Sequence, residues 1–362
     1  MAIEDVLDRY SARTETEAED AAIIGRTGRL ALVGVGLALV AFAPVAQAIQ
    51  PFWMNLLTLA LIFALFALSL DFVFGYAGLL SFGHAAMFGA GGYAVALLLE
   101  NVTRNALVVL PMAIIAGVVV AALIGWLSVR AKGIYFAMLT LAFAQMIYTL
   151  AFNDIPATAL GVDQVTAGDN GLVGIPSYEV AGFAFDSLVT YYFLALTIVA
   201  LSVALVLRLA NSPFGRVLEG IRENEDRIAF VGYNVRHYKI VAFAISGGFA
   251  GLAGGLFVPF QSTAHPEMLH WTVSGELIVM TLLGGMGTLW GPMVGAVFVV
   301  FLEDALSSVG NWEVVLGLIY VLVVIFAPTG IAGAVTSLKR NPREAVSNVP
   351  AALRGYVENV RK

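Results

Sequence analysis

The sequence predicts an all-α fold, a polytopic bundle of about ten transmembrane helices, and three observations carry that expectation. The 362 residues are 60% hydrophobic and only 12% charged, with mean hydropathy +0.88, whereas soluble domains are about a quarter charged. The apolar residues gather into runs close to the ~20 that cross a bilayer as a helix. Lys and Arg cluster at the ends of those runs, as they do in cytoplasmic loops.

Residues 1–29 are polar and mostly acidic (Glu4, Asp5, Asp8, Glu15, Glu17, Glu19, Asp20) and read as a cytoplasmic tail. Arg26 and Arg29 precede an apolar run at 30–49 that ends in Ala46-Gln47-Ala48. That triplet resembles a signal-peptidase site, but an acidic stretch is a poor leader, so the run is taken as an uncleaved first span. Nine further spans are expected at 52–74, 79–99, 107–129, 134–152, 188–209, 240–260, 275–290, 292–309 and 312–328. The membrane body then covers 30–333, and a second cytoplasmic tail covers 334–362. Arg130 with Lys132, the charged loop at 210–239, and Lys339, Arg340 and Arg343 mark inside ends. The connection at 153–187 carries Asp154, Asp163, Asp169, Glu179 and Asp186 without Lys or Arg, and reads as extracytoplasmic. An even number of spans puts both termini inside.

Two glycine-rich stretches, 75–93 and 284–296, interrupt the helical pattern. Their endings are alike, GYAVALLLE against GAVFVVFLE, which suggests a weak internal repeat with broken helices beside a central route. Unwound backbone is tolerated at membrane depth only where protein or a cavity surrounds it. Gly75, Gly78, Ser81, Gly83, His84, Gly284, Gly285 and Gly287 are therefore expected to border a translocation pathway. The competing reading is tight glycine packing, with His84 donating to a neighbouring helix carbonyl.

The densest charge lies at 211–239, NSPFGRVLEGIRENEDRIAFVGYNVRHYK. Ser212-Pro213 is a helix-start signal, and Val217, Leu218, Ile221 and Ile228 fall on roughly one face of one amphipathic helix. Such a helix between two spans is suited to pressing on a soluble partner. Outside, the turn-rich piece TAGDNGLVGIP at 166–176 sits in a connection long enough to be functional. Its Asp169, Asn170 and Gly171 are candidates for docking an extracytoplasmic protein, against the alternative of a plain connector.

Several classes of chemistry find no support. There is no Cys for thiolate or disulfide chemistry. The histidines His84, His237, His265 and His270 show no metal-ligand spacing, and neither a nucleophile elbow nor a phosphate-binding loop occurs. No basic patch with interleaved aromatics suggests nucleic acid. Intramembrane acids are few. Asp71, Glu303 and Asp304 lie near predicted span ends and are expected to snorkel to water, and Glu276 stands in a short span. Proton or sodium coupling would call for more such groups at depth, which disfavours an ion-coupled transporter or channel.

Six segments together resemble one family. They are SFGHAAMFGAGGY, RAKGIYFAMLTLAFAQ, TAGDNGLVGIP, the stretch from Ser212 to Phe257, GGMGTLWGPMVGA and the FAPTGIAG ending. The family is the branched-chain amino acid ABC importer permeases, of the LivM-type membrane subunit, and the likeness spans about 52–333. It implies a coupling segment from Ser212 to Gly232 that sits in a cleft of a cytoplasmic ATPase. The residues concerned are Ser212, Pro213, Gly215, Arg216, Glu219, Gly220, Arg222, Glu223, Asn224, Glu225, Asp226, Arg227, Ala229 and Gly232. The glutamate-alanine-alanine motif of other importer classes is absent, since Gly220 and Ile221 follow Glu219. The likeness further implies a homologous second permease, two ATP-binding subunits, a periplasmic substrate-binding protein and a bacterial inner membrane. ATP and magnesium would sit on the ATPases, leaving no cofactor in this chain. Relatives carry leucine, isoleucine and valine, and close ones carry urea, short amides or aromatic acids.

Overall fold

The computed structural model describes residues 51–308, 310, 312–326 and 330–332. The acidic tail, the apolar run at 30–49 and the C-terminal tail lie outside these residues. Four long helices come first: α1 (Pro51–Ala77), α2 (His84–Asn101), α3 (Ala106–Ser128) and α4 (Ile134–Phe152). A short α5 (Ile155–Leu160) opens the connection at 153–187, followed by α6 (Leu188–Ala210). Next are α7 (Pro213–Glu223), α8 (Glu225–Phe230) and α9 (Val235–Gln261). The chain continues through α10 (Trp271–Gly284), α11 (Trp290–Leu306) and α12 (Trp312–Phe326).

Among the described residues, α1, α3, α4, α6 and α9 are long and apolar enough to cross a membrane. They are not equivalent. Helices α1 and α9 are mostly buried, whereas α3, α4 and α6 turn much of their surface outward. That surface is apolar, with Leu107, Ile134 and Leu201 among the most exposed side chains, as expected where the solvent is lipid. Helix α9 packs on α3, α2 and α1. Its Gly251 lies so close to Gly117 of α3 that a side-chain carbon there would come 2.9 Å from the Gly117 Cα. Small residues at such crossings let backbones approach, and dispersion then replaces the missing hydrophobic drive.

Two expected spans take a different form. The run at 79–99 is helical only from His84, because Leu79–Gly83 is unwound. The run at 275–290 is a 14-residue helix, α10, which starts earlier, at Trp271, and stops at Gly284. At 1.5 Å per residue it covers ~21 Å, short of the ~30 Å hydrocarbon core. Five long apolar helices establish a multi-pass helical bundle; a count of ten and an internal repeat go beyond them.

The connection at 153–187 is ordered. The Asp154 carboxylate accepts hydrogen bonds from the backbone N–H groups of Val165, Thr166 and Ala167, gathering the loop into a turn. Strand β1 (Leu172–Val173) pairs antiparallel with β4 (Thr263–Ala264), which follows α9, while β2 (Glu179–Val180) pairs with β3 (Phe183–Ala184). Pro259 has no N–H, so the Gly255 carbonyl four residues earlier loses its helical donor. The buried Tyr178 hydroxyl donates to that carbonyl at 2.7 Å. Tyr178→Phe should leave it unsatisfied and cost about 1–3 kcal/mol. The readout is the thermal midpoint of the detergent-solubilised protein, which Tyr135→Phe, on the exposed start of α4, should leave in place.

Candidate functional site

The charged loop is two helices and not the single one expected. Ser212 caps α7, its Oγ accepting from the Gly215 N–H at 3.4 Å, and Pro213 occupies the first turn. Helix α7 buries Leu218 and Ile221 and turns Arg216 and Glu223 outward. At Asn224 the backbone extends (φ −158°, ψ 100°), and the side chain caps α8 by accepting from the Arg227 N–H at 2.9 Å. A competent capping residue ended the helix where the apolar period alone would have carried it on. Ile228 folds back over Gly220, where a side-chain carbon would meet its Cδ1 at 2.7 Å. Gly232, at φ 101°, turns the chain toward α9. Asp226, Arg227 and Ala229 are exposed. So are the large apolar side chains of Phe230 (91%) and Val231 (70%), which the charge-based reading passed over.

The hairpin is tied to the bundle by ions. Glu225 Oε2 lies 2.7 Å from Lys239 Nζ of α9 and 3.5 Å from Lys132 Nζ of the α3–α4 turn; Lys132 also reaches Asp226 at 3.8 Å. Partial burial alone would raise the Glu225 carboxyl, but the Lys239 hydrogen bond and the two lysine charges hold it below its ordinary range. Glu219 moves the other way, raised by burial and by the neighbouring Glu223 charge against the pull of Arg222.

A second tie leads inward. Arg222 Nη1 donates to the Gly75 carbonyl. Gly75 lies in the last turn of α1, where carbonyls lack helical donors and the helix dipole is negative, so a guanidinium is a suitable cap. Directly behind stands the break between α10 and α11, with positive φ at Gly285 (110°), Gly287 (82°) and Leu289 (61°). The Leu289 backbone is strained, by an amount on the order of 1–3 kcal/mol. What holds it is Asp71 of α1. The carboxylate accepts from the Gly287 N–H at 2.7 Å and the Leu289 N–H at 2.9 Å. Asp71 therefore does not snorkel to water as expected; it is fully buried and binds the unwound segment. A side-chain carbon at Gly75 would fall 2.7 Å from the Gly287 Cα, so glycine is required at this crossing. Gly78 reverses the chain after α1 at φ 70°, beside the Arg222 stem, and Gly284 abuts Gly291 across the break.

The first unwound segment is pinned just as thoroughly. The N–H groups opening α2 have no helical acceptors. Phe82 N donates to Thr140 Oγ1 of α4, Gly83 N to Ser81 Oγ, and Ala85 N to Ser274 Oγ of α10. Ser246 of α9 donates to the Ser69 carbonyl at 2.5 Å, so its oxygen accepts from His84 Nε2 at 2.8 Å. His84 thus reaches a helix carbonyl only through a serine. Ser81 and His84 are both buried. On the outer side Asp169 and Asn170 are exposed, while Gly171 is buried under the strand pair at φ 65°.

Long apolar helices around a buried core, two unwound glycine segments inside it and a charged helical hairpin at one end define a multi-pass helical membrane protein. A family model described as branched-chain amino acid transport system / permease component matches residues 52–327, and the chain belongs to that family. The high-affinity branched-chain amino acid permease protein LivM of Escherichia coli K12 is 29% identical over 301 residues, covering 76% of this chain and 69% of that one. The probable LivM of Methanocaldococcus jannaschii is 26% identical over 280 residues, covering 67% and 77%. LivH of Salmonella typhimurium is 24% identical over 303 residues, covering 77% and 94%. No solved structure matches.

The ion ties make a prediction about pH. A carboxylate whose folded value lies below its unfolded 4.5 stabilises the hairpin above that value and ceases to as pH falls through the folded one. The protection of the α8 amides, taken as the ratio of intrinsic to observed hydrogen-exchange rate at each pH, should therefore be high at neutral pH and fall once pH drops below 4.5. Glu225→Gln should give the low protection already at pH 7. Its cost is on the order of 1–3 kcal/mol, because the nearly buried Lys239 loses its partner while Glu225 itself keeps some water.

Proposed function

We propose that the protein is the LivM-type permease subunit of a binding-protein-dependent, ATP-driven importer for branched-chain or related amino acids. It forms half of the translocation pathway and pairs with a homologous second permease. Two ATP-binding subunits dock on the hairpin of α7 and α8, and a periplasmic binding protein docks on the outer connection near Asp169, Asn170 and Gly171. The chain crosses the bacterial inner membrane ten times with both termini in the cytoplasm, and the glycine-rich stretches at 75–93 and 284–296, unwound at 78–83 and 285–289, border the route as a loose repeat.

The observation that carries this reading is the Arg222 contact with Gly75. It joins the outward-facing hairpin directly to the end of α1, and through Asp71 to the break between α10 and α11. A push on the hairpin is thereby delivered to a segment whose backbone is already unwound. The exposed Phe230 and Val231 at the hairpin's tip add an apolar contact for a protein partner, since isolated large side chains in water gain most from burial. An importer of the same class carrying urea, short amides or aromatic acids would use the same machinery.

The test is uptake by the complex of this chain, its second permease, the ATPases and the binding protein in proteoliposomes. Arg222→Ala removes a charge-assisted bond worth about 1.5–3 kcal/mol. It should lower binding-protein-stimulated ATP hydrolysis and leucine uptake about tenfold or more, with the ATPases still co-purifying. Charge reversal at Glu219 and Asp226 should act in the same direction. Uptake by the permease chains alone, without any ATPase, would overturn the reading in favour of an ion-coupled transporter or channel.

A further inference from the structure

A cavity of about 290 Å³ lies between α1, α2, α9 and α10, outside all the contacts described so far. Its floor is aromatic. Phe63, Phe88 and Phe257 touch one another, with ring centroids 5.4–6.4 Å apart. Its mouth is polar, with Gln261, Thr263, His265 and Glu267. Thr263 belongs to β4, which pairs with the outer connection, so the mouth faces the extracytoplasmic side. The wall between mouth and floor carries Glu276.

Glu276 has unusual company. The carboxyl of Glu303, from α11, meets it, and Tyr320 of α12 donates to Glu303 at 3.4 Å. Among the described residues neither glutamate has a Lys or Arg partner. Intramembrane carboxyl groups are costly and usually functional, and Glu276 with Glu267 gives the cavity two carboxyl groups against the single imidazole of His265. An anion would be repelled here, and a sugar would leave its hydroxyls unpaired against three phenyl rings. What fits is a small molecule with one apolar end and one cationic group. The volume stands at the lower edge of the ~300–1,000 Å³ of ligand pockets, as for a metabolite of amino-acid size.

We infer that this cavity is an outward-facing subsite for an aliphatic amino acid, with its side chain on the Phe63–Phe88–Phe257 floor and its ammonium group at Glu276. Gln261 and Thr263 are neutral donors placed to receive the carboxylate. The inference rests on the importer reading and adds to it a site in this chain where substrate pauses after leaving the binding protein.

The chain contains no Cys, so one introduced thiol can be followed cleanly in the assembled importer. Val273→Cys, on the cavity wall, is labelled with a maleimide from the outer side of nanodisc-embedded complex, and adducts on this chain are counted by mass. L-leucine at ten times its half-protecting concentration should slow labelling about tenfold, because the unoccupied fraction falls in proportion. The probe 4-methylpentanoate keeps the side chain and carboxylate but lacks the ammonium, and should not protect. Glu276→Gln, co-purifying in full yield, should weaken leucine protection about tenfold or more. Met268→Cys serves as a second reporter.

The outcomes separate cleanly. If the complex imports leucine but leucine protects neither thiol, the subsite is wrong and the importer reading stands. Equal protection by 4-methylpentanoate overturns the role of Glu276. Failure of both thiols to react overturns the outward-facing cavity. A complex that imports urea or aromatic acids and not leucine overturns the amino-acid reading together with the subsite.

Discussion

The Asp71 carboxylate, buried in α1 and bonded to two backbone N–H groups of the segment between α10 and α11, is the contact on which the architecture turns. An ionised carboxylate is expensive to bury unless hydrogen bonds replace its water. Here they do, and the exchange is mutual, since the unwound segment would otherwise have N–H groups without acceptors at a depth where no water supplies them. Glycine at 75 and 287 lets the two backbones meet, and Leu289 is held in a backbone region that few non-glycine residues adopt. Arg222 then caps the α1 terminus beside this contact. Four local features thus depend on one another, and Arg222 joins the helical hairpin to them.

The same logic governs the other irregular backbone. Three donors around the start of α2 find hydroxyls: Phe82 on Thr140 of α4, Ala85 on Ser274 of α10 and Gly83 on Ser81 within the turn. Hydroxyls suit this task in a membrane, because their transfer into lipid costs far less than that of charges. The result is that α2 begins inside the bundle without an exposed end, and α10 and α9 are held against its first turn.

The bundle itself was largely legible in the sequence, because apolar length and the placement of Arg130, Lys132 and the charged loop depend only on local composition. Ser212-Pro213 announced the start of α7 for the same reason. The end of α7 was less visible. Ile221 and Ile228 stand seven residues apart, two helical turns, so the apolar period continued across Asn224 and concealed a cap that only the backbone reveals. Asp71 was noticed but misjudged: its partners lie more than two hundred residues away, and no local pattern distinguishes a carboxylate facing water from one facing an unwound loop. The cavity was invisible for a related reason, since its floor and wall come from four helices far apart in the chain.

Helix α9 carries a consequence beyond packing. Its 27 residues make a rod ~40 Å long, and both ends are fastened. At the outer end Pro259 frees the Gly255 carbonyl, which the Tyr178 hydroxyl of the outer connection takes up. At the inner end Lys239 is clasped by Glu225 of the hairpin. A stiff element fastened at both ends ties the connection at 153–187 to the charged hairpin, so that the two loops at opposite ends of the bundle share one rod.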